Sequence, residues 1–257
     1  KMSYNSKNLD AKKDEQGTFL LKVKPGKYKF QFYYNSEFFE IKTDSIPVAE
    51  NFRKEIRVTF ESSKYPVECD KPVIYVYPTE TTQVNIKLDL KGKLGFTYPE
   101  YKNNWNFTAE PNGTLTSSGK KYDYLFWEGS TALDMNKINT NEGFIVNKSN
   151  LIKFFEEKLT AMGLNAREQE DFITYWGPRM SANENNYVHF IFNEEFSGYA
   201  LLTIEPKPDK VFRVFMIWSA TNEKGNSNLT AQKIPSFDRK GFTVLEWGGT
   251  ETKIIIP

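Results

Sequence analysis

One cysteine and one histidine stand among 257 residues. Cys69 has no partner for an intramolecular disulfide, so cysteine usage leaves the redox compartment open. His189 alone cannot build a multi-histidine zinc site. No glycine-rich phosphate loop, Rossmann fingerprint or G-x-S-x-G elbow occurs. Nucleotide-cofactor and serine-hydrolase chemistry therefore lack their usual carriers, and neither a cofactor nor a metal is expected. No apolar run reaches the roughly 20 residues that span a bilayer, so no membrane span is expected. Charge of one sign is also missing. The formal net charge is +1, and the first 60 residues hold 12 basic and 8 acidic side chains. That is no basic stripe, and nucleic acid is not expected as a partner.

Aromatic side chains, by contrast, are abundant at 16% of the chain. They bunch into strand-like runs: VIYVYP (73–78), YDYLFWEG (122–129), YVHFIF (187–192) and VFRVFMIW (211–218). Each large ring buries roughly 150–250 Å². Such runs are either the interior of a β-rich fold or the floor of a binding surface.

The first 64 residues read as a small β-sandwich. TFLLKVK (18–24) predicts a strand and PGK (25–27) a turn. YKFQFYY (28–34) alternates Tyr28, Phe30, Phe32 and Tyr34 against polar neighbours, and 38–46 and 54–60 predict two further strands. DEQGTFLLKVKPGKYKFQFYY, with Asp14, Gly17, Phe19, Gly26 and Tyr28 in place, resembles the second half of a carboxypeptidase-regulatory-like, or transthyretin-like, domain. That resemblance implies a non-catalytic structural module and a first strand lying upstream of Lys1. Asp10, Asp14 and Gly17 also sketch a calcium loop, but the terminal bidentate Glu is missing, and a turn-stabilising Asp is the simpler reading.

Residues 65–257 read as a larger α+β domain, after an aperiodic boundary at 61–72. TQVNIKLDL (82–90) alternates with one buried face, and Asn112-Gly113 signals a hairpin. Helical spacing then takes over. Ser149 is placed to cap a helix carrying Leu151, Phe154, Phe155, Leu159 and Met162, with Gly163 just past its end. Asn165 and Glu168 form a capping-box pattern for a second helix with Phe172, Ile173 and Trp176, ending before Pro178. The short turn between them predicts an αα-hairpin packed on an antiparallel sheet, whose strands resume at 187–192, 199–206, 210–220 and 242–249. CDKPVIYVYPTETTQVNIKL, KYDYLFWEG, RVFMIW and GFTVLEWGGTE together resemble an uncharacterised family of bacterial extracellular proteins with a KPVIYLYP-type opening motif. The resemblance implies a secreted, periplasmic or cell-surface location. The chain's polar opening, KMSYNSKNLD, shows no signal peptide and fits a cytosolic or a mature secreted protein.

Candidate chemistry is sparse. Glu128 and Glu246 each sit beside a Trp and a Gly, and two carboxylates flanked by rings are what a glycoside hydrolase uses. Against that stands pairing with a cation such as Arg213. His189, between apolar neighbours, reads as a base or as a core histidine, and Cys69, in a Pro-flanked stretch, as a passive thiol. Trp127, Trp218 and Trp247 are expected inside, and Trp105, in the polar run KNNWN, outside. Tyr98, Tyr101, Trp105, Trp127 and whichever face of YDYLFWEG the helices leave uncovered are the expected ligand-binding surface. The leading expectation is a non-catalytic module binding a glycan or another envelope protein. A carboxylate-pair hydrolase and a structural spacer are the alternatives.

Overall fold

In a computed structural model the described residues are 2–4, 7–9, 20–34, 38, 41–60, 67–131, 133–134, 137–222 and 229–252. They form two compact units, one within residues 1–65 and 134–139 and the other within residues 66–133 and 140–256. The chain is mostly β, with a helical hairpin packed on a sheet.

The first unit holds strands β1 (Met2–Tyr4), β2 (Lys7–Leu9), β3 (Gly26–Tyr28), β4 (Phe30–Phe32), β5 (Ile41–Lys42) and β6 (Ile46–Val48). They pair as a four-stranded sheet, β2-β1-β4-β5, and a two-stranded sheet, β3-β6. Phe30 is buried, with Tyr28 and Phe32 stacked on either side. Residues 20–24 and 54–60, expected as strands, have no ladder. Alternation supplies a face but not a partner strand. Of the regulatory-like motif, Gly26 and Tyr28 bound β3, while Asp10, Asp14, Gly17 and Phe19 lie outside the described residues.

In the second unit the strands are β7 (Val67–Tyr77), β8 (Thr82–Leu90), β9 (Gly92–Tyr98), β10 (Trp105–Ala109), β11 (Leu115–Ser117), β12 (Lys120–Tyr122), β13 (Leu125–Thr131), β14 (Phe144–Asn147), β15 (Asn185–Phe192), β16 (Ala200–Glu205), β17 (Lys210–Thr221) and β18 (Thr243–Glu251). One sheet has seven strands, β14-β15-β17-β18-β7-β13-β9; the other has five, β12-β11-β10-β8-β16. Every pair is antiparallel except β17–β18, which is parallel. That pair needs a long crossover, and the two strands are well separated in sequence, β17 ending at Thr221 and β18 beginning at Thr243. The boundary expected at 61–72 is half strand, since β7 already begins at Val67. A single residue, Lys91, separates β8 in one sheet from β9 in the other. At this corner a Cβ on Gly92 would fall 1.8 Å from the Ser130 carbonyl oxygen, so only glycine fits.

The helices are α1 (Leu151–Met162), α2 (Ala166–Met180) and the short α3 (Asn193–Ser197). Leu151, Phe155, Leu159 and Met162 of α1 face Phe172, Trp176 and Met180 of α2, and both helices pack on Val73, Tyr75, Val214, Met216, Leu245 and Trp247 of the large sheet. Gly163 adopts φ +87°, and Asn165 and Glu168 make the reciprocal capping box. Ser149 is not the cap of α1. It lies in a 3-10 turn before it, and Asn150 is the N-cap. Nor does α2 stop before Pro178. It runs one turn further, where Arg179 Nη1 donates to the Tyr175 carbonyl and the Ser181 amide and hydroxyl donate to Gly177. No helix among the described residues is long and apolar enough to cross a membrane.

Candidate functional site

Register assigns each side chain to a face of the large sheet, because residues directly opposite one another point the same way. The face carrying Val73, Phe126, Trp247 and Asp70 is the one the helices pack on; the face carrying Ile74, Leu125, Trp127 and Glu246 is the inner one. Glu128 is opposite Phe96 and belongs to the helix-bearing face, whereas Glu246 is opposite Ile74 on the inner face. The two glutamates suggested by sequence are therefore not brought together.

Glu246 is fully buried and ion-paired to Arg213 Nε, its direct neighbour on the parallel pair. Its other oxygen accepts from Trp127 Nε1 at 2.9 Å. Arg213 also donates to the Ala200 carbonyl and, at 3.1 Å, to the Ser197 hydroxyl, and its guanidinium lies 4.6 Å from the Phe196 ring centre. This cluster ties β16 and α3 to the large sheet. Cys69 lies on the same inner face, fully buried in β7 rather than in a linker, and burial, with Glu246 next in weight, pushes its thiol pKa up. A thiol so disposed is no nucleophile.

His189 is also internal. Its Nδ1 lies 3.1 Å from the Glu142 carbonyl, which only accepts, so Nδ1 carries the proton. Burial lowers its pKa, partly offset by that carbonyl. Beside it, the Gln232 side chain donates to the Phe190 carbonyl and accepts from the Phe190 amide at 2.9 Å, filling the edge of β15 beyond the reach of β14.

Of the rings proposed to face solvent, Trp105 is only 2% exposed, which corrects the expectation. It opens β10 opposite Ile86, donates Nε1 to the Pro99 carbonyl at 2.9 Å, and meets the Tyr101 ring edge-on at 4.6 Å. The alternation Trp105, Phe107, Ala109 against Asn106 and Thr108 was the overlooked signal, drowned by the polar residues before it. Tyr101 is half-buried. Its hydroxyl accepts from the Leu88 amide at 3.0 Å and donates to the Leu88 carbonyl at 3.1 Å, standing in for the strand where β10 has run out. Trp127 has no exposure at all, so it cannot meet a ligand directly.

Tyr98 is different. It is 56% exposed, and Phe96 on the same face is 57% exposed. Both project from β9, one of the two edge strands of the seven. Tyr122 meets Tyr98 edge-on at 5.3 Å, and Phe126 meets Phe96 at 5.9 Å. The hairpin covers β14 through β7 but leaves this end open: Phe126, Glu128 and Ser130 alternate half-buried against the fully buried Leu125, Trp127, Gly129 and Thr131.

Two extra residues flank Glu128. β7 carries one residue more than β13 and β18 around Asp70–Pro72, with Lys71 at φ +48°, and β9 carries one more at Gly95. Such bulges re-aim side chains and are frequent beside sites. The first turns Asp70 onto the helix-bearing face, near Glu128. Burial, then the Glu128 charge, pushes the Asp70 carboxyl up to about 6, with Arg179 opposing and Glu68 and Glu251 adding to the rise. Tyr175 of α2 borders this spot, its ring 3.7 Å from the Arg179 guanidinium and 5.0 Å from Lys71 Nζ. Asp70 went unnoticed in the sequence, although Pro72 inside a central strand signals a bulge.

No family model and no solved structure matches the chain. A relative described as an uncharacterized protein in the bglA 3' region of Butyrivibrio fibrisolvens is 48% identical over 62 residues. The matched stretch is 23% of this chain and 65% of that protein, so the chain spans just under two thirds of its relative.

Proposed function

We propose that the protein is a non-catalytic binding module that uses the open end of the helix-bearing face, at β13 and β9, to hold a glycan or another protein. One observation carries this reading: Phe96 and Tyr98, side by side on an edge strand, remain more than half exposed while the other rings of their sheet are packed away. Burying a Phe side chain stabilises by about 1.5–3 kcal/mol, and a clustered apolar patch kept in water is the usual mark of a contact surface. Clustering also argues against a pure spacer, whose exposed rings would be scattered. The resemblance to extracellular bacterial proteins supports a secreted, periplasmic or cell-surface setting.

The hydrolase built on Glu128 and Glu246 is disfavoured by geometry, since the sheet stands between them. Binding is tested by glycan-array and pull-down measurements with the wild-type chain and Phe96→Ala/Tyr98→Ala. A ligand held by the wild type and lost by the double variant supports the reading. A ligand held equally by both removes it.

A further inference from the structure

Beside the exposed rings lies a polar patch that the aromatic surface alone does not explain. Asp70, turned by the bulge in β7, shares the helix-bearing face with Glu128 of β13, which lies beside the bulge in β9. Both are half-buried, the Glu128 charge reaches Asp70, and both charges reach Tyr175. Tyr175 and Arg179 of α2 form the bank on one side, and the open edge of β9 leaves the other side free. The floor thus runs from flat rings, Phe96 and Tyr98, to two carboxylates in about two strand widths, roughly 10 Å at 4.7–4.9 Å each.

We infer that this face takes a neutral polysaccharide chain, with Phe96 and Tyr98 receiving the apolar faces of its sugar rings and Asp70 and Glu128 accepting its hydroxyl hydrogen bonds. The inference rests on the binding reading above and names its ligand.

Three features select this occupant. Charge is nearly balanced: Glu68, Asp70, Glu128 and Glu251 face or adjoin Lys71, Lys93 and Arg179, so neither a polyanion nor a polycation gains a net field. Carboxylates within reach of half-buried surface need donors when water is displaced. Sugar hydroxyls supply donors without adding charge, whereas an apolar protein surface would leave both carboxylates unpaired. Finally, the site is a shelf at a sheet edge rather than a pocket, which suits a chain passing across it more than a small molecule enclosed on all sides.

The test uses affinity gel electrophoresis and calorimetry with soluble neutral polysaccharides (mixed-linkage β-glucan, xyloglucan, arabinoxylan and galactomannan), with polygalacturonate and chitosan as charged probes. Wild type, Tyr98→Ala, Asp70→Ala, Glu128→Ala and the near-isosteric Glu128→Gln are compared, each shown folded by its thermal melt. Expected is binding to at least one neutral polymer, weakened about tenfold or more in Tyr98→Ala, Asp70→Ala and Glu128→Ala, and less in Glu128→Gln, which keeps an acceptor. Loss in Tyr98→Ala with full binding in both carboxylate variants overturns the polar half of the inference while leaving the aromatic surface standing. Binding confined to a charged probe overturns the choice of ligand. Binding to no probe, together with a protein captured through Phe96 and Tyr98, also overturns it but keeps the binding reading. Release of new reducing ends by the wild type would overturn the non-catalytic reading itself.

Discussion

Arg213 and Glu246 are direct neighbours on the parallel strands β17 and β18, and their ion pair is sealed on the inner face of the large sheet. Breaking a buried pair from one side leaves an uncompensated charge, at a cost of about 3–5 kcal/mol. Arg213→Met is expected to lose that much. Arg213→Met/Glu246→Gln should recover a good part of it, because the remaining amide still accepts from Trp127. All five tryptophans lie between positions 105 and 247, so fluorescence-detected urea unfolding reports on the second unit. Equal losses for the single and double variants would show that the pair contributes through Arg213's other contacts, Ala200 and Ser197.

Asp70 gives stability a pH dependence of definite sign. Its carboxyl is raised from 3.8 to about 6 in the folded state. Between about pH 4 and 6 the folded protein therefore holds a proton that the unfolded chain has released. This contribution is fully present below about pH 4 and is lost as pH rises through about 6. Asp70→Asn, which cannot ionise, is expected to melt higher than wild type at pH 8 and level with it at pH 3.5. A variant that melts lower at pH 8 would show that the carboxylate is held by its neighbours rather than strained by them.

His189 pulls the other way. Burial lowers its pKa, so the native state prefers it neutral. Stability from this group is full above the unfolded value near 6.5 and falls as pH drops below it. His189→Gln should flatten the acid limb of a melting-temperature profile below about pH 6.5. An unchanged limb would place the acid sensitivity elsewhere.

The turn between α1 and α2 is set by two residues. A Cβ on Gly163, at φ +87°, would meet the Phe237 carbonyl oxygen at 2.7 Å. Gly163→Ala therefore meets both backbone strain and a backbone clash, and should cost more than Asn165→Ala, which loses the cap, at about 1 kcal/mol, and a long 3.4 Å hydrogen bond to the Tyr77 hydroxyl. Chemical denaturation of the two variants ranks them, and the reverse order would mean that the backbone at Phe237 yields.

Most strands and the helical hairpin of the second unit were legible because period and caps agreed: Leu151, Phe155 and Leu159 lie on one helical face, and Asn165 with Glu168 announces α2, whereas the short β14 and α3 gave no such signal. Trp105 misled because a ring's surroundings in sequence are not its surroundings in a sheet. Glu246 beside a tryptophan and a glycine looked like a site, yet the same neighbours describe a packed interior. Asp70 was hidden by arithmetic. Strict alternation from Val73 backwards would put Asp70 with Ile74 and Val76 on the inner face, and the one extra residue at Lys71 reverses that. The first unit was read less well, since its strands are only two or three residues long and their partners are not encoded in alternation.

The corner at Lys91 has a consequence for how the exposed face could change. β9 is fastened at its start, where Gly92 fills the only space that the Ser130 carbonyl leaves, and Phe96 and Tyr98 stand further along the strand with solvent beside them. The fastening and the contact residues are therefore separate. Rings at positions 96 and 98 can be exchanged for others without disturbing the joint between the two sheets, which makes β9 a natural place to graft a new specificity onto this scaffold.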